Sequence, residues 1–231
     1  PVLGGNAVKL TPQDLSREAA GTGFPPEALE KVFQMMGLLD ALYGHPYLGP
    51  RIALKGGTAF NLFLLRVPRL SVDIDLNYLG ASDRERMLSE RPKIEQAVQA
   101  VCQRENLTIH RMPSAHAGGK WRLTYLTALG DAGNLELDVN FMLRTPLWPP
   151  VLAECHPVGS FRASPVRILD PHEIAVGKLA ALLARGAVRD IFDARLLLTM
   201  KELDPAKLRL GFVVYGGVNR KDWRTVSAGG L

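Results

Sequence analysis

Residues 54–80 read 54-LKGGTAFNLFLLRVPRLSVDIDLNYLG-80, and the fold turns on this stretch. Gly56-Gly57 makes a turn, and 58–65 is nearly all apolar, which predicts a buried helix. Pro68 ends it. Then 71-SVDIDLNY-78 alternates strictly and predicts a strand, with Val72, Ile74 and Leu76 on a core face and Ser71, Asp73, Asp75 and Asn77 on the other. Asp73 and Asp75 therefore stand side by side, about 7 Å apart at their backbones. Two such carboxylates in an apolar strand repel each other unless a cation or basic group holds them.

Working outward, 51-RIALK-55 predicts a short strand before the glycines. An amphipathic helix is expected over about 26–43, with Leu29, Val32, Phe33, Met36 and Leu39 at helical spacing. The first 25 residues, rich in Gly, Pro and Thr, are expected to be loosely structured. Ser82 and Glu85 read as a capping box, and Pro92 as the restart of a helix carrying Ile94, Ala97, Val98 and Val101. Strands are expected near 106–111, 120–129 and 134–143, the last two joined by a hairpin turn at Asp131-Ala-Gly-Asn. A proline-rich loop covers 145–165, and 166–169 predicts a short strand. Asp170-Pro171-His172-Glu173 starts a helix that runs to about Arg185, and a further helix covers about 188–200. The tail from 204 shows a weak helical start and little pattern. Helix, strand, helix, strand, helix, then a strand meander and helices predict an α/β (α+β) fold: a mixed sheet flanked by helices, with a helical C-terminal part. The expected division is a core over 1–165 and a helical part over 166–231 that completes the active site.

The strand over 134–142 repeats the alternation. Leu135, Leu137, Val139 and Phe141 face the core, and Glu136, Asp138 and Asn140 face away. Asp138 becomes a third carboxylate beside Asp73 and Asp75 if the two strands are neighbours. Oxygen-only ligands suit Mg²⁺ or Mn²⁺. The backbone N–H groups at the start of the helix near Thr58 favour an anion, and glycine allows close approach. A phosphate cradle beside a carboxylate-held cation is the arrangement for phosphoryl or nucleotidyl transfer. The Gly-x4-Gly-Lys-Ser/Thr pattern of a P-loop is absent.

The chain of 231 residues is 47% apolar and 22% charged, which fits a globular protein. Its net charge of +5 and pI near 9.4 suit a polyanionic partner such as RNA or nucleotide. No apolar run approaches the roughly 20 residues a membrane span needs. The N-terminus carries no leader-like pattern, so a cytoplasmic protein is expected. A chain beginning at Pro1 is expected to have lost an initiator Met or to have been trimmed. The two cysteines, Cys102 and Cys155, match no metal or redox spacing and are expected as free thiols. His45, His110, His116, His156 and His172 show no ligand spacing. Lys120, Trp121, Arg122 and Tyr125 interleave charge and aromatics; Trp121, Leu123 and Tyr125 are read as a core face, with RNA stacking the alternative.

On these residues the sequence resembles the AbiEii/AbiGii toxin branch of the nucleotidyltransferase fold, which includes the toxins of type IV abortive-infection systems and the MenT toxins. The resemblance rests on Gly56, Gly57, Thr58, Asn61, Arg69, Ser71, Asp73 and Asp75. It continues in 178-KLAALLARGAVRDIFDARLL-197 and spans about 50–200. It implies that Asp73 and Asp75 bind Mg²⁺, that Asp138 fits the third carboxylate, which can help activate the attacking hydroxyl, and that Gly56, Gly57, Thr58, Asn61, Arg69 and Ser71 belong to the nucleotide site. It also implies that Lys178 reaches the phosphates. Lys178 and Arg185 share a helix face and would add positive charge toward the leaving pyrophosphate. Asp193 is favoured for a site role; Asp190 and Arg185 can equally be read as ordinary helix-surface groups. The implied activity is a toxin that transfers NMP from an NTP to an acceptor, the 3′ end of tRNA, and so blocks translation and growth. A protein acceptor, or a nucleotide-binding module without turnover, is the alternative. The implied partner is a cognate antitoxin with a winged-helix part. Family members are often longer at the C-terminus, so a compact or truncated form is expected here.

Overall fold

The computed structural model describes residues 10–112, 118–219 and 222–227. Pro1 and His116 lie outside the described residues. The described residues divide into two compact units. One holds the residues up to Thr145 together with Pro150–Ile168; the other holds Pro146–Pro149 and the residues from Leu169.

The first unit opens with a helix where loose structure was expected. Thr11 and Asp14 close a reciprocal capping box over Pro12 at the first helical position, and α1 runs Pro12–Thr22. The local caps start this helix without an apolar stripe, since only Leu15 is buried. α2 (Pro26–Gly44) follows, its Leu29, Val32, Phe33, Met36 and Leu39 fully buried. After β1 (Ile52–Lys55), the helix opened by the two glycines is a single α-turn, α3 (Gly56–Thr58), continued as a π-helix over Ala59–Leu64. The buried Phe60, Leu62 and Phe63 hold it in place.

β2 (Asp73–Tyr78) leads to α4 (Arg84–Arg104). Its cap is Asp83, whose carboxylate accepts from Arg86 N–H, and not Ser82. Pro92 sits inside this continuous helix instead of restarting it. Met87 before it and Ile94, Val98, Val101 and Cys102 after it are all buried, so packing on both sides offsets the lost backbone bond. β3 (Thr108–Arg111), β4 (Gly118–Leu126) and β5 (Ala132–Asn140) form the meander, with the turn at Thr127–Asp131 starting about four residues earlier than expected. The proline-rich loop yields a strand, β6 (Val151–Ala153), which pairs with β7 (Val166–Ile168).

These strands form one mixed seven-stranded sheet among the described residues, in the order β3-β4-β5-β2-β1-β7-β6. β2 is antiparallel to β1 and parallel to β5, and β7 is parallel to β1. Ile74, Leu76, Tyr78, Trp121, Leu123, Leu135, Leu137, Val139 and Phe141 are buried on one face. Both α2 and α4 pack against the sheet. On this face the Tyr78 hydroxyl donates to Glu90 of α4 at 2.7 Å, and the Arg91 guanidinium lies over the Phe141 ring. Trp121 and Tyr125 are therefore core residues, and neither offers a stacking ring on the other face.

The second unit is helical. α5 (Pro171–Arg185), α6 (Val188–Leu197) and α7 (Pro205–Val218) pack with α5 in contact with the other two. α7 carries the weak helical start expected from 204 through to Val218. Asp204 caps it, Pro205 starts it, and its glycines hide the periodicity. Gly211 is the close approach: a Cβ there would lie 2.9 Å from Val176 Cγ2. Buried Glu173 accepts from Leu147 N–H at 2.9 Å and from the Tyr215 hydroxyl at 2.7 Å, and burial raises its pKa. No helix among the described residues is long and apolar enough to cross a membrane. Cys102 and Cys155 are free and buried.

Candidate active site

Strand register assembles the site in the first unit. Lys55, Asp75, Asp138 and Lys120 form one row across β1, β2, β5 and β4, each the register partner of the next. Asp73, Glu136, Arg122 and Arg111 form the next row, across β2, β5, β4 and β3. Register partners share a face, so four carboxylates are gathered between cationic flanks. Asp138 does stand beside Asp75, because β2 and β5 are parallel neighbours.

The glycines act on this row directly. Gly56 has φ +71°, a conformation that favours glycine. A Cβ on Gly56 would fall 2.2 Å from Asp75 Oδ2 and 3.0 Å from its Cγ. The Asp75 carboxylate thus lies against the backbone at the head of the helical turn.

The other motif residues brace this turn. The Thr58 hydroxyl donates to the Asp73 carbonyl at 2.5 Å and lies 3.2 Å from Ser71 Oγ. Asn61 Nδ2 donates to the Gly57 carbonyl at 3.0 Å. Thr58, Asn61 and Ser71 are buried, so their side chains tie the glycine turn to the head of β2. Arg69 donates to the Leu70 carbonyl at 3.2 Å. Asn77, two residues beyond Asp75 on its face, is fully buried, and neither side-chain polar atom has a hydrogen-bond partner among the described residues.

Lys120, read from the sequence only as part of a charged and aromatic strand, lies in this row. Its ammonium donates to Glu136 at 2.5 Å, and Arg122 stands 3.8 Å from the same carboxylate. The hydrogen bond to Glu136 holds the Lys120 pKa above its usual range, and the charges of Asp73 and Asp75 add to this. The Glu136 carboxyl is held low, first by the same hydrogen bond. The only local signal was a lysine on the outward face of a strand; its meaning comes from a register that no single stretch encodes.

Among the described residues, no three His, Cys, Asp or Glu side chains converge, as they stand, to hold a metal ion. The donor set is nevertheless all oxygen and in register, and the Asp75 carboxylate occupies space that only a Gly56 without Cβ leaves open. This fits a hard divalent cation in ligand type.

In the second unit, Lys178 and Asp193 form an ion pair at 2.8 Å, both buried. Arg185 donates to both oxygens of buried Asp190, at 2.6 and 2.9 Å. That fork lowers the Asp190 pKa. The four residues form a two-rung ladder between α5 and α6.

The family model for the nucleotidyl transferase AbiEii toxin of type IV toxin–antitoxin systems matches residues 38–224. The chain belongs to the AbiEii family. It is thereby a nucleotidyltransferase of a toxin–antitoxin system. No curated protein sequence gives a significant match. Among solved structures, the AbiEii chain is similar to MenT4, a nucleotidyltransferase toxin of Mycobacterium tuberculosis H37Rv. The TM-score is 0.64 at 22% identity, covering 89% of this chain and 70% of that one. It is also similar to JHP933 from Helicobacter pylori, with a TM-score of 0.56 at 20% identity, covering 85% of this chain and 83% of that one. Both likenesses speak for the nucleotidyltransferase fold.

Proposed function

We propose that this AbiEii-family chain transfers NMP from an NTP to the 3′ end of tRNA with the help of Mg²⁺, and so arrests translation and growth. The observation that carries this reading is the row through Asp75 and Asp138 with the Gly56 backbone closed against Asp75. When bound, the cation would be held by Asp73, Asp75 and Asp138, and would neutralise charge on the triphosphate.

The backbone N–H groups of Gly57 and Thr58 face the incoming phosphates in this reading. Thr58, Asn61 and Ser71 serve by fixing the turn, and Arg69 is assigned to the nucleotide. The acceptor 3′ oxygen attacks the α-phosphorus in line, the new O–P bond forms, and the bond to the β-phosphate bridging oxygen breaks. Asp138 accepts the hydroxyl proton, and pyrophosphate leaves with the electron pair. In the second unit, Lys178 and Arg185, with Asp193 and Asp190 orienting them, are assigned to phosphate binding. The net charge of +5 supports a polyanionic acceptor. A cytoplasmic setting and a cognate antitoxin with a winged-helix part complete the proposal.

The test is transfer of α-labelled NTPs, one at a time, with Mg²⁺ and total tRNA. Label that resists protease and is lost to RNase supports the tRNA acceptor. Label that resists RNase and is lost to protease replaces it with a protein acceptor. Tight NTP binding without transfer to either would leave a binding module.

A further inference from the structure

Beyond the carboxylates, the same sheet face continues outward as a strip of exposed cations. Arg122 on β4 is the register partner of Glu136, which is the register partner of Asp73. Arg111 on β3 is the register partner of Arg122, across a β-bulge between Ile109 and Arg111. Neighbouring strands lie about 4.8 Å apart, so Arg122 stands about 10 Å from Asp73 at the backbone and Arg111 about 14 Å. Arg122 is 62% exposed, and Arg111 is exposed too. Lys120 is half exposed and already engaged with Glu136. His110 and Thr124, hydrogen-bonded to each other at 2.8 Å, extend the polar surface. Trp121, Leu123 and Tyr125 point the other way into the core, so the strip offers charge and hydrogen bonds and no stacking platform.

We infer that this strip, Arg122 and Arg111 above all, is the track for the phosphate backbone of a single-stranded RNA end whose terminal hydroxyl lies over the carboxylates. This rests on the proposed RNA acceptor and adds where the acceptor lies and how it is read. Two observations commit it to that occupant. The cations run away from the reacting carboxylates in consecutive strand steps, so a flexible polyanion entering the site crosses them in order. The exposed side chains at Lys120, Arg122 and Arg111 all carry the same positive charge, which suits a phosphate backbone. Recognition through phosphates alone is independent of sequence. The strip therefore accepts many RNA ends, and any choice among them is made elsewhere.

The experiment compares the unaltered chain with Arg111→Gln/Arg122→Gln. Binding of a short single-stranded RNA is measured over a salt series without NTP, and transfer with NTP is measured separately. Both positions are exposed, and circular dichroism and melting check that the variant folds. Removing one arginine–phosphate interaction should lower the slope of log affinity against log salt by about 0.7, so the double variant should fall by about 1.4. Affinity at low salt should drop at least about 10-fold, and acceptor KM should rise by a larger factor than kcat falls. Arg122→Lys should recover part of the affinity. Unchanged RNA affinity and slope, with transfer to RNA intact, would overturn the strip while leaving the tRNA reading standing. An unaltered chain that binds no RNA and labels protein would overturn both.

Discussion

Gly56 and Asp75 occupy one space: the position of a Gly56 Cβ is 2.2 Å from Asp75 Oδ2. One partner lacks a side chain so that the other can lie against backbone. Gly56→Ala must displace the Asp75 carboxylate and also place an L-residue at φ +71°. The backbone strain is about 1–2 kcal/mol. The displacement of a reacting group should cost about 100-fold in NMP transfer. A melting curve that shifts by only a few degrees beside that loss would separate geometry from unfolding.

Thr58 provides a second check on the same turn. Its hydroxyl donates to the Asp73 carbonyl. Thr58→Val keeps the shape and removes the donor inside a buried site, and should destabilise by about 1–3 kcal/mol. Thr58→Ser should retain most of the stability and the activity. Chemical denaturation of both variants, with transfer rates alongside, tests this.

The buried Lys178–Asp193 pair separates stability from chemistry. Lys178→Met removes the ammonium 2.8 Å from a fully buried carboxylate. A loss of roughly 3–5 kcal/mol is expected. The double change Lys178→Met/Asp193→Leu should recover much of that loss. If the pair serves the triphosphate, the double variant stays inactive although it is stable. Recovery of activity with stability would assign the pair a purely structural role.

Asp40 gives the chain a pH signature. It is buried on α2, accepts from Ser164 N–H at 2.8 Å, and its Oδ2 has no partner among the described residues. Burial raises its pKa to about 6. The folded state therefore binds the proton more tightly than the unfolded chain. The stabilising contribution is full below about pH 4 and is lost as pH rises through about 6. Asp40→Asn should flatten this dependence. Urea midpoints of both proteins from about pH 4 to about pH 8 would show it.

How much of this was legible in the sequence depended on distance along the chain. Alternation over 71–78 and 134–142 placed Asp73, Asp75 and Asp138 on outward faces, because the period of a strand is a local property. That Asp138 meets Asp75 required a parallel β2–β5 pairing, which sequence reading could state only as a condition. Lys120 was read only as part of a charged strand for the same reason: its place beside the carboxylates comes from register with Asp138 and proximity to Glu136. The helix α1 was missed, and only the start of α7 was seen, because caps and prolines start them while their apolar periodicity is weak. Pro92 misled in the opposite sense, since packing on both sides carried the helix through it.

The measurement that tests the central claim most directly is pyrophosphate release against NMP incorporated, for the unaltered chain and Asp75→Asn, with NTP, Mg²⁺ and total tRNA. One pyrophosphate for each NMP incorporated, abolished in the variant while its melting temperature is kept, is the expected result. Equal transfer by Asp75→Asn would contradict the assignment of the Asp73–Asp75–Asp138 face as the reacting centre.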